Sequence, residues 1–269
     1  YVKCDLCAAD DYSSWGRKDG FRIVECNQCG LVYTNPRLDL ERVKKLYTTE
    51  YFSQGDYAED PLRKRMYIIE IETQIKKLIG NKGRFLDVGC ALGAFLKLLP
   101  DSFEKYGTEI SQQAADYARE KNGLNIEIAE GLATIKFPDN FFDIIHLRGV
   151  IEHLRSPTVD LKKAYSLLKP SGRLIVSTTP NIVSPAARFY REQFRLVFPK
   201  EHIYYFSPRT LSRLLQKTGF VTKAVFYPYI NTPYASLFKD IKDFFFNRMR
   251  GKESPPFFYS VMTFYAQKT

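Results

Sequence analysis

The stretch Phe85–Gly93, which reads Phe-Leu-Asp-Val-Gly-Cys-Ala-Leu-Gly, constrains the fold of this chain more than any other feature. An apolar run of strand type ends near Asp87, glycines at 89 and 93 mark a turn, and a helical segment follows. Glycines at such a turn let the backbone come close to a nucleotide-like ligand, and they let the start of the helix pack against the strand. We therefore expect a strand, a ligand-binding turn and a helix here.

Short apolar runs alternate with amphipathic stretches from Arg84 onward, which is typical of a parallel sheet flanked by helices. The predicted strands are Phe85–Val88, Tyr106–Ile110, Asn125–Ala129, Phe142–Leu147, Arg173–Thr178, Val221–Phe226 and Ser260–Ala266. The predicted helices are Phe95–Leu99, Gln112–Lys121, Thr158–Leu168 and Pro208–Thr218. The fold class is therefore α/β.

Four cysteines at the start of the chain form two C-x2-C pairs, Cys4 with Cys7 and Cys26 with Cys29. The 18-residue spacer has the length of a hairpin, so four thiolates can close a tetrahedron around one metal ion. Two disulfides would need an oxidising compartment, and a redox pair would lie beside a βαβ unit, which neither pair does. We predict a structural zinc ribbon over residues 1–35, because a four-sulfur site leaves no open coordination position for substrate.

Residues 36–80 form a connector between the ribbon and an α/β domain over residues 81–269. The connector contains a predicted short helix near Leu38–Tyr47 and a second helix from Pro61 to about Leu78. Its aromatic residues are Tyr47, Tyr51, Phe52 and Tyr57. These side chains either cover a ligand or pack the connector onto its neighbour.

The residues around the glycine turn indicate which kind of ligand it takes. A dinucleotide fold has G-x-G-x-x-G, whose helix N-terminus receives a pyrophosphate, but here Asp87 occupies the first glycine position. A carboxylate there would repel phosphate and can receive an ammonium group, directly or through water, which favours an adenosyl amino acid over NAD. Twenty residues after Gly89, at the end of the second predicted strand, Glu109 can accept hydrogen bonds from both ribose hydroxyls.

Five motifs resemble, in order, those of class I S-adenosylmethionine-dependent methyltransferases. They are Asp87-Val-Gly-Cys-Ala-Leu-Gly93, Gly107-Thr-Glu-Ile-Ser111, Phe137-Pro-Asp-Asn-Phe-Phe-Asp-Ile-Ile145, Val150-Ile-Glu-His-Leu154 and Leu168-Lys-Pro-Ser-Gly-Arg-Leu174. The resemblance covers roughly residues 84–226 and implies a Rossmann-like seven-stranded methyltransferase sheet. Together with the ribbon, the chain resembles a bacterial subgroup often met in sugar and polysaccharide pathways.

The resemblance also implies the cofactor S-adenosylmethionine and a set of residues that contact it. The residues implied for the cofactor are Asp87, Gly89, Cys90 and Gly93 at the methionine end, Glu109 and Ile110 at the ribose, and Gly131 and Leu132 at the adenine. Two positions depart from the family pattern. Ala91 replaces the more usual glycine, and Gly131 occupies a position that is often acidic, so Glu130 or main chain would recognise adenine.

Methyl transfer from a sulfonium is an in-line displacement, so a base is needed only when the acceptor must lose a proton. Among the three histidines, we interpret His146 as a core residue of the fourth strand, whereas His153, just beyond that strand's carboxyl end, is either a candidate base or a helix-start residue that satisfies local backbone. His202 lies in an aromatic segment directly after Glu201. A similar Glu-His element is assigned to base chemistry in zinc-ribbon sugar C-methyltransferases, so the resemblance favours His202, supported by Glu201 and Tyr204.

The segment of about residues 180–207 interrupts the alternation, and we expect it to build the acceptor site with Tyr190, Phe194 and Arg195. Arg188, Arg191 and Arg195 recur on one helical face, where they either clamp a phosphate or form a solvated stripe. The aromatic and basic stretch 227–256 either touches an anionic lipid-linked acceptor or caps the sheet.

The net charge of +10 comes from 40 basic and 30 acidic residues spread over the chain, which indicates a solvated basic face. No apolar run approaches the roughly 18 residues that cross a bilayer. We expect a cytoplasmic enzyme that methylates an O or C atom of a small acceptor, either a nucleotide sugar or a lipid-linked glycan. An RNA-binding or RNA-modifying zinc-ribbon protein is the alternative, although nucleic acid is not the expected partner.

Overall fold

The computed structural model describes residues 1–47 and 60–269. The strands are β1 Tyr12–Lys18, β2 Phe21–Cys26, β3 Val32–Thr34, β4 Gly83–Val88, β5 Phe103–Glu109, β6 Asn125–Ile128, β7 Phe142–Arg148, β8 Leu168–Pro180, β9 Tyr204–Tyr205, β10 Phe220–Phe226 and β11 Val261–Lys268. The α-helices are α1 Leu40–Lys44, α2 Pro61–Glu70, α3 Ala94–Leu98, α4 Gln112–Asn122, α5 Pro157–Leu167, α6 Pro185–Tyr190, α7 Pro208–Lys217 and α8 Leu237–Met249. Helix α2 continues through the π turn Ile71–Ile75 into Lys76–Leu78.

One seven-stranded sheet forms the centre of the molecule, in the order β10-β11-β8-β7-β4-β5-β6. Strands β8, β7, β4, β5 and β6 are parallel, because helices cross between successive strands. The α/β prediction is confirmed, and each of the seven predicted strands overlaps a strand of this sheet. All four helices predicted within this domain are also present.

The strands are not all parallel at one edge of the sheet. Strand β11 lies between β8 and β10 and is antiparallel to both. Alternation of apolar and amphipathic segments does not report strand direction, so sequence reasoning could not detect this reversal. The sheet is therefore mixed, as its parallel part ends at β8.

The ribbon strands belong to a second sheet, with the order β1-β2-β3-β9. Strand β9 comes from the segment that was expected to build the acceptor site, and it pairs with β3 through Val32 opposite Tyr205 and Tyr33 opposite Tyr204. The ribbon and the α/β domain consequently share a continuous apolar core that includes Cys4, Val24 and Leu214.

The aromatic residues predicted for the acceptor site have a different role. Tyr190 and Phe194 are fully buried in a core cluster with Phe244 of α8, and the Tyr190 hydroxyl donates to the Phe244 carbonyl. Their large apolar area favours burial over a solvent-filled pocket. Arg191 does not join a phosphate clamp with its helical neighbours, because its guanidinium stacks on Trp15 of the ribbon at 4.4 Å.

Helix α8 occupies part of the aromatic and basic stretch. Asp240 and Phe244 are buried, whereas Phe238, Phe245 and Met249 are exposed. The helix therefore covers the fold on one face and leaves apolar side chains on the other. None of the described helices is long and apolar enough to cross a membrane. The connector residues Tyr51, Phe52 and Tyr57 lie outside the described residues.

Candidate functional site

A cavity opens at the carboxyl ends of β4, β5 and β7, the edge at which open α/β sheets bind ligands. The residues from the sheet side are Val88, Gly89, Ala91, Thr108, Glu109, Ile110, Ala129, Glu130, Gly131, Arg148, Gly149, Val150, His153, Leu154 and Arg155. The connector closes the opposite side through Leu40, Val43 and Tyr47. Lys44 of α1 pairs with Glu130 at 2.7 Å, which holds this connector helix over the cavity.

Two glycines make the turn after β4 possible. Gly89 has φ of +66° and a Cβ there would lie 2.8 Å from Val150 Cγ2, while Gly93 has φ of +78° and a Cβ would lie 2.3 Å from Leu124 Cδ1. Any side chain at either position would combine backbone strain with a clash. Ala91, which departs from the family's glycine, has φ of 52° and so keeps the left-handed conformation despite its methyl group.

Glu109 organises this turn from the end of β5. Its Oε2 accepts a hydrogen bond from the amide of Ala91 at 2.9 Å, and its Oε1 accepts from the amides of Ile110 at 2.8 Å and Ser111 at 2.9 Å. A carboxylate has about four acceptor positions, so one remains open on Oε2. Burial raises the pKa of Glu109, and the three amides oppose that rise.

Asp87 contacts a histidine that the sequence did not indicate as its partner. Its Oδ1 lies 3.0 Å from Nδ1 of His146, and Asp87 is buried and absent from the cavity wall formed by the described residues. The His146 Nε2 atom lies 2.9 Å from Oγ of Ser177 and 3.5 Å from Oε1 of Glu70. Arg148 then donates from Nε to Oε2 of Glu70 at 2.9 Å.

These charges form a buried network that ends at the cavity, because Arg148 also lines it. Burial alone would lower the pKa of His146, but the carboxylates of Asp87 and Glu70 outweigh burial and raise it to about 9. For Glu70, burial is outweighed by Arg148 and His146, which lower its pKa to about 2. The buried position of His146 agrees with the prediction that it is a core residue of the fourth strand. The pattern of apolar residues in α2 did not identify Glu70 as a member of this network.

The remaining implied cofactor residues differ in their access to the cavity. Ile110 and Gly131 line it, whereas Leu132 and the Cys90 side chain are buried in the core. A Cβ at Gly131 would lie 2.5 Å from Oδ1 of Asp160, which itself accepts from the amide of Ala133 at 3.2 Å. Of these four residues, only Ile110 and Gly131 can contact a ligand in the cavity directly.

Two histidines meet beside the cavity, where His153 lines the wall and His202 packs against His153. The ring centroids of His153 and His202 are 4.7 Å apart, with the rings nearly perpendicular. Nδ1 of His153 lies 3.1 Å from the Tyr47 hydroxyl. Nδ1 of His202 lies 3.0 Å from the carbonyl oxygen of Leu196, so this nitrogen carries the proton and Nε2 is left as an acceptor.

Burial favours the neutral form of both imidazoles. Burial lowers the pKa of His202 to about 4. Burial also lowers the pKa of His153 well below its usual value, and the neighbouring His202 adds to this effect. The pair can therefore accept a proton or a metal ion but does not repel a cationic ligand.

Glu152, rather than Glu201, is the carboxyl group that accompanies the histidines. The ligand atoms of Glu152, His153 and His202 all lie within 4.8 Å of one another, and Oε2 of Glu152 is buried without a hydrogen-bond partner among the described residues. Burial raises the pKa of Glu152 to about 8. Over the same described part of the chain, the carboxylate of Glu201 makes no hydrogen bond or ion pair.

Main-chain hydrogen bonds create this arrangement. The carbonyl oxygen of Glu152 accepts from the amides of Ile203 at 2.9 Å and Tyr204 at 3.1 Å, which docks the segment after β7 onto the segment before β9. The two histidines are 49 residues apart in the chain. The spacing of the two histidines in the sequence therefore did not indicate that they would be in contact.

The four ribbon cysteines are close enough to share one metal ion. Their sulfur atoms lie within 4.8 Å of one another, with 3.4 Å between Cys4 and Cys29 and 3.4 Å between Cys7 and Cys26. A disulfide requires about 2.05 Å. Zinc with Zn–S bonds of about 2.3 Å in a tetrahedron needs sulfur atoms nearly 4 Å apart, so the donor set fits this metal.

The first cysteine turn also docks directly onto the α/β domain. The Asp5 carboxylate accepts from the Ser156 hydroxyl at 2.6 Å and from the amide of Thr158 at 2.9 Å, at the start of α5. Lys217 of α7 donates to the carbonyl oxygens of Asp5 and Leu6. The ribbon therefore supports the segment that contains His153.

Comparison with known proteins gives consistent matches. The sequence profile of a family described as a methyltransferase domain matches residues 62–225, more than half of the chain. The chain is 26% identical over 171 residues to demethylmenaquinone methyltransferase of Geobacillus sp. (strain WCH70), covering 59% of this chain and 72% of that protein. It is 27% identical over 117 residues to phosphoethanolamine N-methyltransferase 3 of Arabidopsis thaliana, covering 40% of this chain and 24% of that protein.

Among solved structures, a SAM-dependent methyltransferase of Thermotoga maritima, described as a possible histamine N-methyltransferase, matches with a TM-score of 0.57. The two chains are 24% identical, and the alignment covers 77% of this chain and 91% of that one. At this identity the likeness establishes the fold. The chain spans only about a quarter of the length of the Arabidopsis relative.

Proposed function

Because this chain belongs to the methyltransferase-domain family and is a class I S-adenosylmethionine-dependent methyltransferase, we propose that it methylates an O or C atom of a sugar carried by a nucleotide or a glycan. The observation that carries the proposal is the contact between His153, which lines the cavity, and His202, which packs against it from behind. A sugar hydroxyl or a carbon acid must lose a proton when it is methylated, so a neutral imidazole beside the methyl group can act as the base that accepts this proton.

The cofactor would lie along the sheet edge, with its ribose at Glu109 and its methionine end over Gly89. The open acceptor position on Glu109 suits one ribose hydroxyl, while the three amides keep the carboxylate in place. Gly131 and Ile110 would flank the adenine. Asp87 would act indirectly, since it anchors the strand end through His146 rather than facing the cavity. The bound cofactor supplies an electrophilic methyl group on a sulfonium.

His202 is the better proton acceptor of the two histidines. Its Nδ1 proton is held by the Leu196 carbonyl, which orients Nε2 as the free lone pair. His153 lines the cavity and is fixed by Tyr47, so it positions the acceptor and contacts His202. Burial lowers the pKa of His202 to about 4, which favours the neutral form that carries the free Nε2 lone pair.

We further propose that the four cysteines hold a structural zinc ion. The sulfur geometry supports this assignment, and the closed donor set excludes a catalytic role for this site. The metal would hold Asp5 in place and, through Asp5, the start of α5 beside the histidine pair.

The test is methyl transfer from labelled S-adenosylmethionine to a panel of acceptors. The panel contains nucleoside diphosphate sugars, phosphoethanolamine, a demethylated naphthoquinol and an RNA transcript. We expect label in a sugar and none in the other three acceptors. Label in phosphoethanolamine, the quinol or RNA would contradict the proposed acceptor class while leaving the methyltransferase assignment intact.

A further inference from the structure

A second cavity lies between the ribbon and the start of the connector, and the α/β domain contributes Arg155 to its wall. Its volume is about 680 Å³, within the range of small-molecule sites. Five of its lining residues are arginines, namely Arg17, Arg22, Arg37, Arg42 and Arg155. We call it the arginine cavity. Arg155 lines both cavities, so the two adjoin at this residue.

Three separate parts of the chain supply these arginines. The hairpin of β1 and β2 contributes two, the start of the connector contributes two, and the segment after β7 contributes Arg155. A solvated basic face consists of neighbouring residues on one element, whereas this cluster forms where the ribbon hairpin, the connector and the segment after β7 meet. The arrangement therefore differs from the ordinary surface charge expected for a chain of this composition.

The arginines are held in position mainly by neutral groups. Arg22 donates to the carbonyl of Asn35 and to the hydroxyl of Tyr12, and it stacks on the Tyr12 ring at 5.3 Å. Arg37 donates to the Tyr204 hydroxyl at 3.0 Å. Arg155 donates to the carbonyl of Leu38 at 3.0 Å.

Most of the positive charge in the cavity is consequently not paired with a carboxylate. Asp39 is the single acidic residue on the described wall of the cavity, and it contacts Arg42 at 3.4 Å. Within the described residues, the other four arginines form no ion pair. The Nε atom of Arg37 is buried without a hydrogen-bond partner in the same part of the chain. Several preoriented guanidinium groups with free donors match the oxygens of phosphate groups.

We propose that the arginine cavity binds the diphosphate of the acceptor, so that the attached group extends past Arg155 toward His153. This assignment rests on the proposed function only for the identity of the attached sugar. A diphosphate offers several anionic oxygens on two adjacent centres, which suits guanidinium groups that converge from different directions. It also gives the ribbon a binding role in addition to a structural one.

Binding is measured by calorimetry on the full chain with three probes: inorganic pyrophosphate, uridine diphosphate and uridine. We expect both diphosphates to bind and uridine to bind much more weakly. Arg37→Gln and Arg22→Gln should each weaken pyrophosphate binding about tenfold or more, because each removes a charge-assisted contact. The matched control is Arg209→Gln, an exposed arginine on α7 outside the cavity, which should leave binding unchanged.

S-adenosylhomocysteine affinity, measured on the same samples, reports whether each variant keeps its fold. Arg37→Lys provides a second, milder variant that retains the charge and should recover part of the affinity. Pyrophosphate binding that is absent, or that falls equally in the Arg209→Gln control, overturns the diphosphate site. Tight RNA binding that depends on Arg22 and Arg37 and displaces pyrophosphate also overturns it, in favour of a polyanion surface.

The result is independent of the methyl-transfer assay. If pyrophosphate binds as expected but no sugar is methylated, the arginine cavity stands and the acceptor proposal fails. If sugars are methylated but the arginine variants keep the wild-type KM, the acceptor proposal stands and the diphosphate site fails.

Discussion

Replacing Glu109 with alanine tests both the turn and the proposed cofactor site. The side chain accepts hydrogen bonds from the amides of Ala91, Ile110 and Ser111, and it has one further acceptor position at the cavity. The substitution therefore removes an internal support and a ligand contact together. The two effects are separated because one is measured without ligand and the other is measured by titration.

The expected magnitudes follow from the number of hydrogen bonds. The ribose can add one charge-assisted hydrogen bond to the present geometry, worth about 1.5–3 kcal/mol, so the Kd for S-adenosylmethionine should rise about 10- to 150-fold. Water can enter the cavity and solvate part of the three released amides. The loss of unfolding free energy should then be about 1–3 kcal/mol, which lowers Tm by a few degrees to about 10 °C.

The measurements are isothermal titration with S-adenosylmethionine and thermal unfolding of the free protein. Glu104→Ala is the matched control, since Glu104 lies on the same strand, is exposed and pairs with Arg84 at 3.0 Å. The control should change neither quantity appreciably. A folded Glu109→Ala protein that binds the cofactor as tightly as the wild type would refute the ribose assignment. An unchanged Tm would refute the role of Glu109 in supporting the turn.

Four further outcomes are expected. His202→Ala should lower kcat about 10²-fold or more with cofactor affinity unchanged, while the neighbouring Lys200→Ala should not, and full activity of the His202 variant would exclude it as the base. Elemental analysis should find one zinc ion per chain, lost in Cys7→Ser together with several degrees of Tm; retained zinc would place the metal elsewhere. Asp5→Ala should cost about 1–2 kcal/mol in urea unfolding, because α5 loses a capping carboxylate, and no loss would show that this contact is not made in solution. The pKa of His146 is raised to about 9 from 6.5, so its protonation contributes stability that is complete below pH 6.5 and disappears as pH rises toward 9. The unfolding free energy of the wild type should therefore fall by about 3 kcal/mol over that interval. A His146→Gln variant with the same fall would disprove this origin.

The sequence determined the elements of the α/β domain because their signals are local. Each strand is a short apolar run between turn residues, and Ser207 followed by Pro208 marks the start of α7, where the structure shows a capping box. The turn at Gly89 and Gly93 could also be predicted from the sequence, since a left-handed backbone conformation favours glycine at that position. The clustering of the four cysteines followed from spacing, because paired ligands two residues apart converge regardless of the remaining fold.

Contacts between segments that are distant in the sequence could not be predicted from these local signals. The sequence placed Asp87 against the ligand and paired Glu201 with His202, but the structure places Asp87 against His146 and Glu152 near His202. In both cases the residue type was recognised, while its partner depended on which segment packs alongside.

The sequence by itself therefore determined which residues form strands, turns and a four-cysteine cluster, together with the family to which the chain is similar. The tertiary structure alone decided that β9 would join the ribbon sheet, that His153 would meet His202 and that five arginines would surround one cavity. The physical reason is that local backbone preferences are properties of a few consecutive residues. The meeting of charged groups from the ribbon, the connector and the domain instead requires the shared apolar core to bring those segments together.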